Sequence, residues 1–539
     1  MWARNLLFVT VCLAGLAALG GLLSPVHKPP AARRVAEAPT AADLQAAVSR
    51  LNASFAPHAG PTSRAANLTI ARRLSLALTG TIPSLAEIRE FEAQPPDAAI
   101  DWWLAELLAD RRSSDYLAER LARAFVGTQD GPFIVYRRRR FVSWLADQLH
   151  TNRPYDEIVA ELIASDGLWT SKPATNFITV TIQPDAGKGP DANQLAARTS
   201  RAFLGVRLDC AECHDHPFSK WKQSDFQSLA GFFGQAANSL RGIRDADRPA
   251  EIDDPLSGEP KRITADVPFA ADALPIDGTP RVRLAQWVTD ARNKAFARAA
   301  VNRVWAQLFG RPLIEPIDDI PLADESGTDG TPEALAILAD DFATHCYDLR
   351  RLISIIALSE PFAAESRVAG DDAAAADTLA TTWNVFPLTR LRPEQVVGSL
   401  LQACSLATLD YQSHIVVRFF RAVGQAEFVK RYGDSGEEEF SPQGGTIPQR
   451  LLLMNGELVK DRTKENLVAN AATQIGALAS TDEKAVEIAY LACLTRRPTS
   501  AEMQHFVAKL AGTRGDDRRQ QMEDLYWALV NSTEFSWNH

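Results

Sequence analysis

Asn67-Leu-Thr-Ile-Ala-Arg-Arg-Leu-Ser-Leu-Ala-Leu-Thr-Gly80 sets the pattern for the whole chain. Leu68, Ala71, Leu74 and Leu78 recur at helical spacing, and Gly80 then ends the turn. Just beyond it, Ser84-Leu-Ala-Glu87 is a capping box that opens a short second helix. Asp101–Leu108, Tyr116–Val126 and Phe141–Leu149 continue as amphipathic segments, and Pro154 precedes a helix over Tyr155–Ile163. Asn176–Ile182 alternates, which predicts one short strand or an extended crossing segment. A helix from about Asp191 to Gly205 leads into a cysteine cluster. A second, over Phe226–Phe233 and capped by Ser224, leads out of it.

Residues 238–280 lose this periodicity and fill with Asp, Pro and Gly, so a boundary falls there. The helical pattern restarts at Arg281 and runs through Phe296–Phe309, a segment opened by Thr331-Pro332, and Asp348–Leu358. It continues over Pro393–Leu406, Gln449–Val459, Glu483–Cys493 and Glu523–Asn531. No period of 20–50 residues recurs, which excludes a solenoid. The expected fold class is mainly α. Two helical domains, 67–237 and 281–539, are joined by an irregular linker, 238–280.

Ahead of them, Leu6–Leu23 is apolar and uncharged behind a single Arg4, which fits a secretory signal or a short membrane anchor over 1–23. Residues 24–66 are Pro- and Ala-rich and read as a tether. The expectation is export to the periplasm or cell surface, with retention at the inner membrane through the N-terminal segment as an open alternative. With 57 Lys and Arg against 67 Asp and Glu, the formal charge is -10. Such a balance opposes nucleic-acid binding over a broad surface. Six Cys in 539 residues exclude a disulfide scaffold.

The one dense chemical constellation is Cys210-Ala-Glu-Cys213-His214-Asp-His216. Cys-x-x-Cys-His is the attachment pattern of c-type haem: two thiols three positions apart add to the vinyl groups on one haem edge, and the next imidazole reaches the iron. Three readings stay open. One is haem c held by Cys210, Cys213 and His214. Another is a zinc site using Cys210, Cys213 and either His214 or His216, which lacks a local fourth ligand. The third is a plain Cys210–Cys213 disulfide. Met454, Met503 and Met522 sit among apolar residues and read as core, and His150, His345, His414 and His505 are isolated, so no distal ligand is assigned. Arg137–Arg140 and Glu437–Glu439 read as solvated charge, while Trp102, Trp103 and Trp221 read as core. Cys346, Cys404 and Cys493 read as small buried hydrophobes. There is no phosphate-cradling glycine loop, Gly-x-Ser-x-Gly turn or His-Glu-x-x-His helix.

The stretch Arg201-Ala-Phe-Leu-Gly-Val-Arg-Leu-Asp-Cys-Ala-Glu-Cys-His-Asp-His-Pro-Phe218, with Lys220-Trp-Lys-Gln-Ser-Asp-Phe226 and Gly231-Phe-Phe233, resembles the planctomycete-type cytochrome-c-like domain of unknown function. Arg72–Gly80, Pro83-Ser84 and Pro154-Tyr-Asp156 match the same family's earlier motifs. Arg281–Trp287, Val301–Trp305, Phe309–Arg311, Glu315–Asp319, Asn531–Phe535 and Asn538-His539 resemble its usual companion, a planctomycete surface-protein domain of unknown function. The resemblance implies export, helical structure and no established reaction. It carries haem attachment onto Cys210 and Cys213 and iron ligation onto His214. The cytochrome label rests on the same Cys-x-x-Cys-His motif and adds no independent support for haem. The chain departs from longer relatives in lacking a separate N-terminal cytochrome domain, and its Ala323–Gly330 segment is degenerate.

The leading expectation is therefore an exported haem-c or metal-binding protein in extracytoplasmic electron transfer or surface assembly, with an unidentified protein or redox partner at the cell surface. A non-catalytic surface scaffold, with the Cys/His cluster as a structural zinc or disulfide site, is the alternative. A secreted polysaccharide-active enzyme is the third, and it requires two carboxylates facing a cleft.

Overall fold

The structure is a computed structural model that describes residues 40–55, 63–129, 136–183, 189–254, 256–322, 331–368, 373–409, 449 and 471–539. The apolar run Leu6–Leu23, His414, Glu437–Glu439, Met454 and the Ala323–Gly330 segment lie outside the described residues, as does most of the expected helix Gln449–Val459. Among the described residues the chain is mainly α, and its strands form three small two-stranded antiparallel sheets. No helix among them is long and apolar enough to cross a membrane.

The helix Asn67–Thr79 is the centre of the molecule. Its apolar residues face two ways: Leu74 and Leu78 enter the larger hydrophobic core, and Leu76 enters a second one. A helix apolar on more than one side is stable only when enclosed, and here even Arg72 and Arg73 are buried. Gly80 closes it in the left-handed region (φ 71°), where a Cβ would stand 2.5 Å from the Tyr116 ring. Ser84 and Glu87 make the capping box read from the sequence, with Ser84 N donating to Glu87 Oε2 at 2.7 Å.

The larger core draws on residues from Ala47 to Phe386, and the smaller on Leu391 to Phe535 together with Leu76 and Ile82. Hydrophobic packing therefore does not separate at 238–280. Those residues carry the hairpins Ala236–Ser239/Gly242–Asp245 and Glu251–Asp253/Pro260–Arg262, and Ile243, Ile252 and Ala273 enter the larger core. Arg281 ties the region down through Asp245 at 2.5 Å and the Ser165 carbonyl at 2.8 Å.

Three local expectations are corrected. Ala41–Phe55, read as tether, is a helix whose Ala47, Val48 and Leu51 are buried. Their spacing was helical, but the Pro-rich residues around them masked it. Asn176–Ile182 is not extended: Pro173–Thr175 is a 3-10 turn and Asn176–Thr179 a helical one. Asn176 fixes this turn by donating to the Pro173 carbonyl and accepting from Arg137 N. Ser224 does not cap its helix, which begins at Gln223; Asp225 instead accepts from Lys222 N at 2.9 Å.

Candidate functional site

The Cys-x-x-Cys-His loop hangs between two fixed ends. Upstream, the helix Ala192–Thr199 runs into a wider turn, Ser200–Leu204, that stops at Gly205 (φ 62°). A Cβ at Gly205 would come within 2.9 Å of Ile320, whose N–H donates to the Gly205 carbonyl at 2.7 Å. The chain then enters a 3-10 turn, Leu208–Ala211, whose first and last side chains are wholly buried. Arg201 pairs with Asp209 at 3.1 Å and Arg207 with Asp318 at 2.7 Å, pinning this turn to the second half of the chain. Downstream, Trp221 is buried against Phe269, which in turn meets Trp287.

Between these anchors the polar atoms face outward. Cys210 and Cys213 are exposed free thiols, so the disulfide reading does not describe this structure. Gln223 closes the loop from below: its Nε2 donates to the carbonyls of Glu212 (3.3 Å) and Cys213 (3.0 Å), and its N–H to Asp215 Oδ1 (2.9 Å). His216 N donates to the Trp221 carbonyl at 2.8 Å. Glu212 is held above the usual carboxylate range by burial, with Asp191 and Asp209 adding like charge.

The two histidines differ in what they present. His214 Nδ1 lies 2.8 Å from the Asp215 carbonyl. A carbonyl only accepts, so that bond assigns the proton to Nδ1 and leaves the Nε2 lone pair free to bind a metal. His216 Nδ1 accepts the Phe218 N–H at 3.1 Å, which in the neutral ring places the proton on Nε2. His214 is thus a ligand-type imidazole and His216 a donor-type one. Among the described residues no three His, Cys, Asp or Glu side chains gather in a metal-binding arrangement. The zinc set anticipated from Cys210, Cys213 and His214 or His216 is therefore not assembled. Phe218, 94% exposed, stands edge-on to the His216 ring.

The other sequence candidates take structural roles. Arg138 forms a bidentate pair with Glu119, and Arg137 lies over Trp169. Trp103 is buried and donates to the Ala71 carbonyl, Met522 sits in the smaller core, and Met503 packs against it. His345 is paired with Asp341, and Cys404 and Cys493 are buried.

Sequence reasoning missed a second cluster, in which Arg496 holds Glu534 at 2.6 Å and Glu502 at 2.9 Å, with His539 Nε2 3.7 Å from Glu534. Glu534 and His539 lie in the quoted C-terminal motifs, but nothing in the spacing links them to Arg496 and Glu502. The Arg496 hydrogen bond pulls Glu502 down to about 2. Burial opposes ionisation of Glu534, but Arg496 outweighs it and holds that carboxyl low as well. An acid–base pair needs its two pKa values split apart, and here both are depressed. Burial, reinforced by Arg72, takes His539 down to about 4. Between pH 6.5 and 4 the unfolded chain therefore binds the His539 proton first, so stability falls as pH drops through that window. Glu502 stabilises fully above about 4.5, and that contribution is lost as pH falls toward 2. The melting temperature should decline in both windows, with His539→Asn flattening the upper and Glu502→Gln the lower. Unchanged slopes in the two variants would refute the assignment.

With the geometry in hand, residues 52–238 match the family model PSCyt2, described as a protein of unknown function (DUF1549). Residues 280–418 match PSD1, described as a protein of unknown function (DUF1553). None of the curated proteins and none of the solved structures matches the chain.

Proposed function

Since the chain belongs to the PSCyt2 and PSD1 families of unknown function, joined in that order, we propose that it is an exported protein that carries haem c on its Cys-x-x-Cys-His loop and serves extracytoplasmic electron transfer. Cys210 and Cys213 would hold the group through thioether bonds. His214 would supply the iron-ligating nitrogen, and the bound group would supply one-electron redox chemistry. The observation that carries the reading is the hydrogen bond from His214 Nδ1 to the Asp215 carbonyl beside two free, exposed thiols. It leaves the correct nitrogen available and mirrors the way ligating imidazoles are oriented by a second bond. The family name PSCyt2 is consistent with a cytochrome but records no function.

The test is expression in a host that matures c-type cytochromes, followed by a haem stain on a denaturing gel, an absorption spectrum and elemental analysis. One covalent haem per chain is expected. A colourless protein with two titratable thiols overturns the proposal, and stoichiometric zinc replaces it with a structural site. The two histidines provide a sharper check. His214→Ala should shift the Soret band, whereas His216→Ala should leave it unchanged. Equal effects would remove the tautomer argument.

A further inference from the structure

The tandem arginines of the central helix play no part in the haem loop, and their environment is unusual. Arg73 donates from Nη1 to the carbonyls of Phe362 (2.8 Å) and Ala364 (2.7 Å), and from Nε to the His539 carbonyl (2.8 Å). Its guanidinium lies 3.8 Å over the Phe386 ring. Arg72 turns the opposite way, to the carbonyls of Cys493 (3.3 Å) and Phe535 (3.4 Å). Among the described residues neither forms an ion pair with an Asp or Glu side chain. Burial lowers them to about 10 and 9, so both remain charged at neutral pH. Two buried cations are thus bonded mainly to backbone oxygens, with the charges of Glu534 and Glu365 acting on Arg72 and Arg73 respectively.

Above them opens a cleft of about 1060 Å³ whose walls those same arginines hold. One wall is the extended segment carrying Glu365 and Arg367. It is clamped by Arg73 and by backbone pairing of Glu365 N with the Ser63 carbonyl at 2.9 Å. The other wall holds Arg496, Glu502 and Glu534, already matched to one another. Arg497 is likewise engaged, by Glu92 and Glu487. Arg367 differs: it is exposed at the cleft, and among the described residues it has neither an ion pair nor a hydrogen bond.

The ligand chemistry follows from these groups. The Arg367 guanidinium, without a partner among the described residues, offers a ligand carboxylate a charge-assisted pair. Glu365, Glu502 and Glu534, with hydroxyls from Ser63, Thr69 and Thr499, supply acceptors and small donors suited to hydroxyl groups. The volume suits a ligand of a few rings. We propose that this cleft binds a carboxylated, hydroxyl-rich oligosaccharide, with Arg367 engaging a uronate carboxylate. The site is independent of the haem loop.

The experiment is titration calorimetry of the full chain with trigalacturonate and, in parallel, with neutral maltotriose, at low and high salt. Trigalacturonate should bind and weaken with salt, while maltotriose should not bind. Arg367→Ala should reduce affinity at least about tenfold, since a charge-assisted hydrogen bond is worth that much, and Arg367→Glu should abolish binding. Because Arg367 is exposed, both variants should melt with the wild type, which separates lost binding from lost folding. Equal binding of maltotriose, unchanged affinity in Arg367→Ala, or no binding of trigalacturonate each overturns the proposal. None of these outcomes depends on whether haem is attached.

Discussion

Changing both Cys210 and Cys213 to alanine is expected to abolish covalent haem completely while barely altering the stability of the apoprotein. The two halves of that expectation have separate physical origins. Covalent attachment requires a thiol at each position, so the double variant leaves nothing for the vinyl groups to meet, and the denaturing-gel haem stain should fall to background. Stability should change by about 0.5 kcal/mol or less, because both side chains are exposed. The loop is held by other groups: Leu208 and Ala211 at its start, Trp221 at its end and Gln223 beneath it. A structural role for the same cysteines predicts the reverse. Removing a native disulfide costs about 2–5 kcal/mol, and a structural zinc contributes still more folding energy. Melting curves of the wild-type and double-variant apoproteins, recorded beside the gel, therefore decide between an attachment site and a scaffold. A large drop in melting temperature with no haem in the parent protein would favour the scaffold.

The helical architecture was legible because the enclosing surfaces repeat at short range. Leu68, Ala71, Leu74 and Leu78 carry a period that any helix must show, and Ser84 with Glu87 marks a start within four residues. The Cys-x-x-Cys-His cluster was legible for the same reason: its chemistry is local. What could not be read is whatever depends on distant partners. Arg72 and Arg73 look like a solvated pair on a helix. Only the fold reveals that their partners are carbonyls around positions 362–364, 493, 535 and 539. The different presentations of His214 and His216 likewise depend on which backbone atom each ring meets. The cleft was invisible because its walls come from segments separated by hundreds of residues, none carrying a spacing that signals a site.

Those tandem arginines give the second large expectation, a loss of about 3 kcal/mol on changing Arg73 to alanine. Burying a guanidinium is costly, and that cost returns when the charge is removed. Against this stand three carbonyls and the Ser366 hydroxyl, all within hydrogen-bond reach of one fork-shaped group. Deleting the donor strands these oxygens in a site water does not easily enter, at about 1–3 kcal/mol for each one left unsatisfied. Alanine also leaves a cavity against Phe386. Arg73→Met isolates the polar contribution, since it keeps most of the volume and none of the donors. It should remain destabilised by about 2 kcal/mol. Lysine retains the charge but has no fork to span carbonyls of two separate segments, so it should rescue little. Hydrogen exchange should locate the damage, with the amides of Ala65 and Glu365, which pair with the Ala363 and Ser63 carbonyls, opening before those of the larger core. If Arg73→Met matches the wild type in both measurements, burying the charge costs as much as its bonds return. The central helix would then be held by its leucines alone, and the wall carrying Arg367 would need another support.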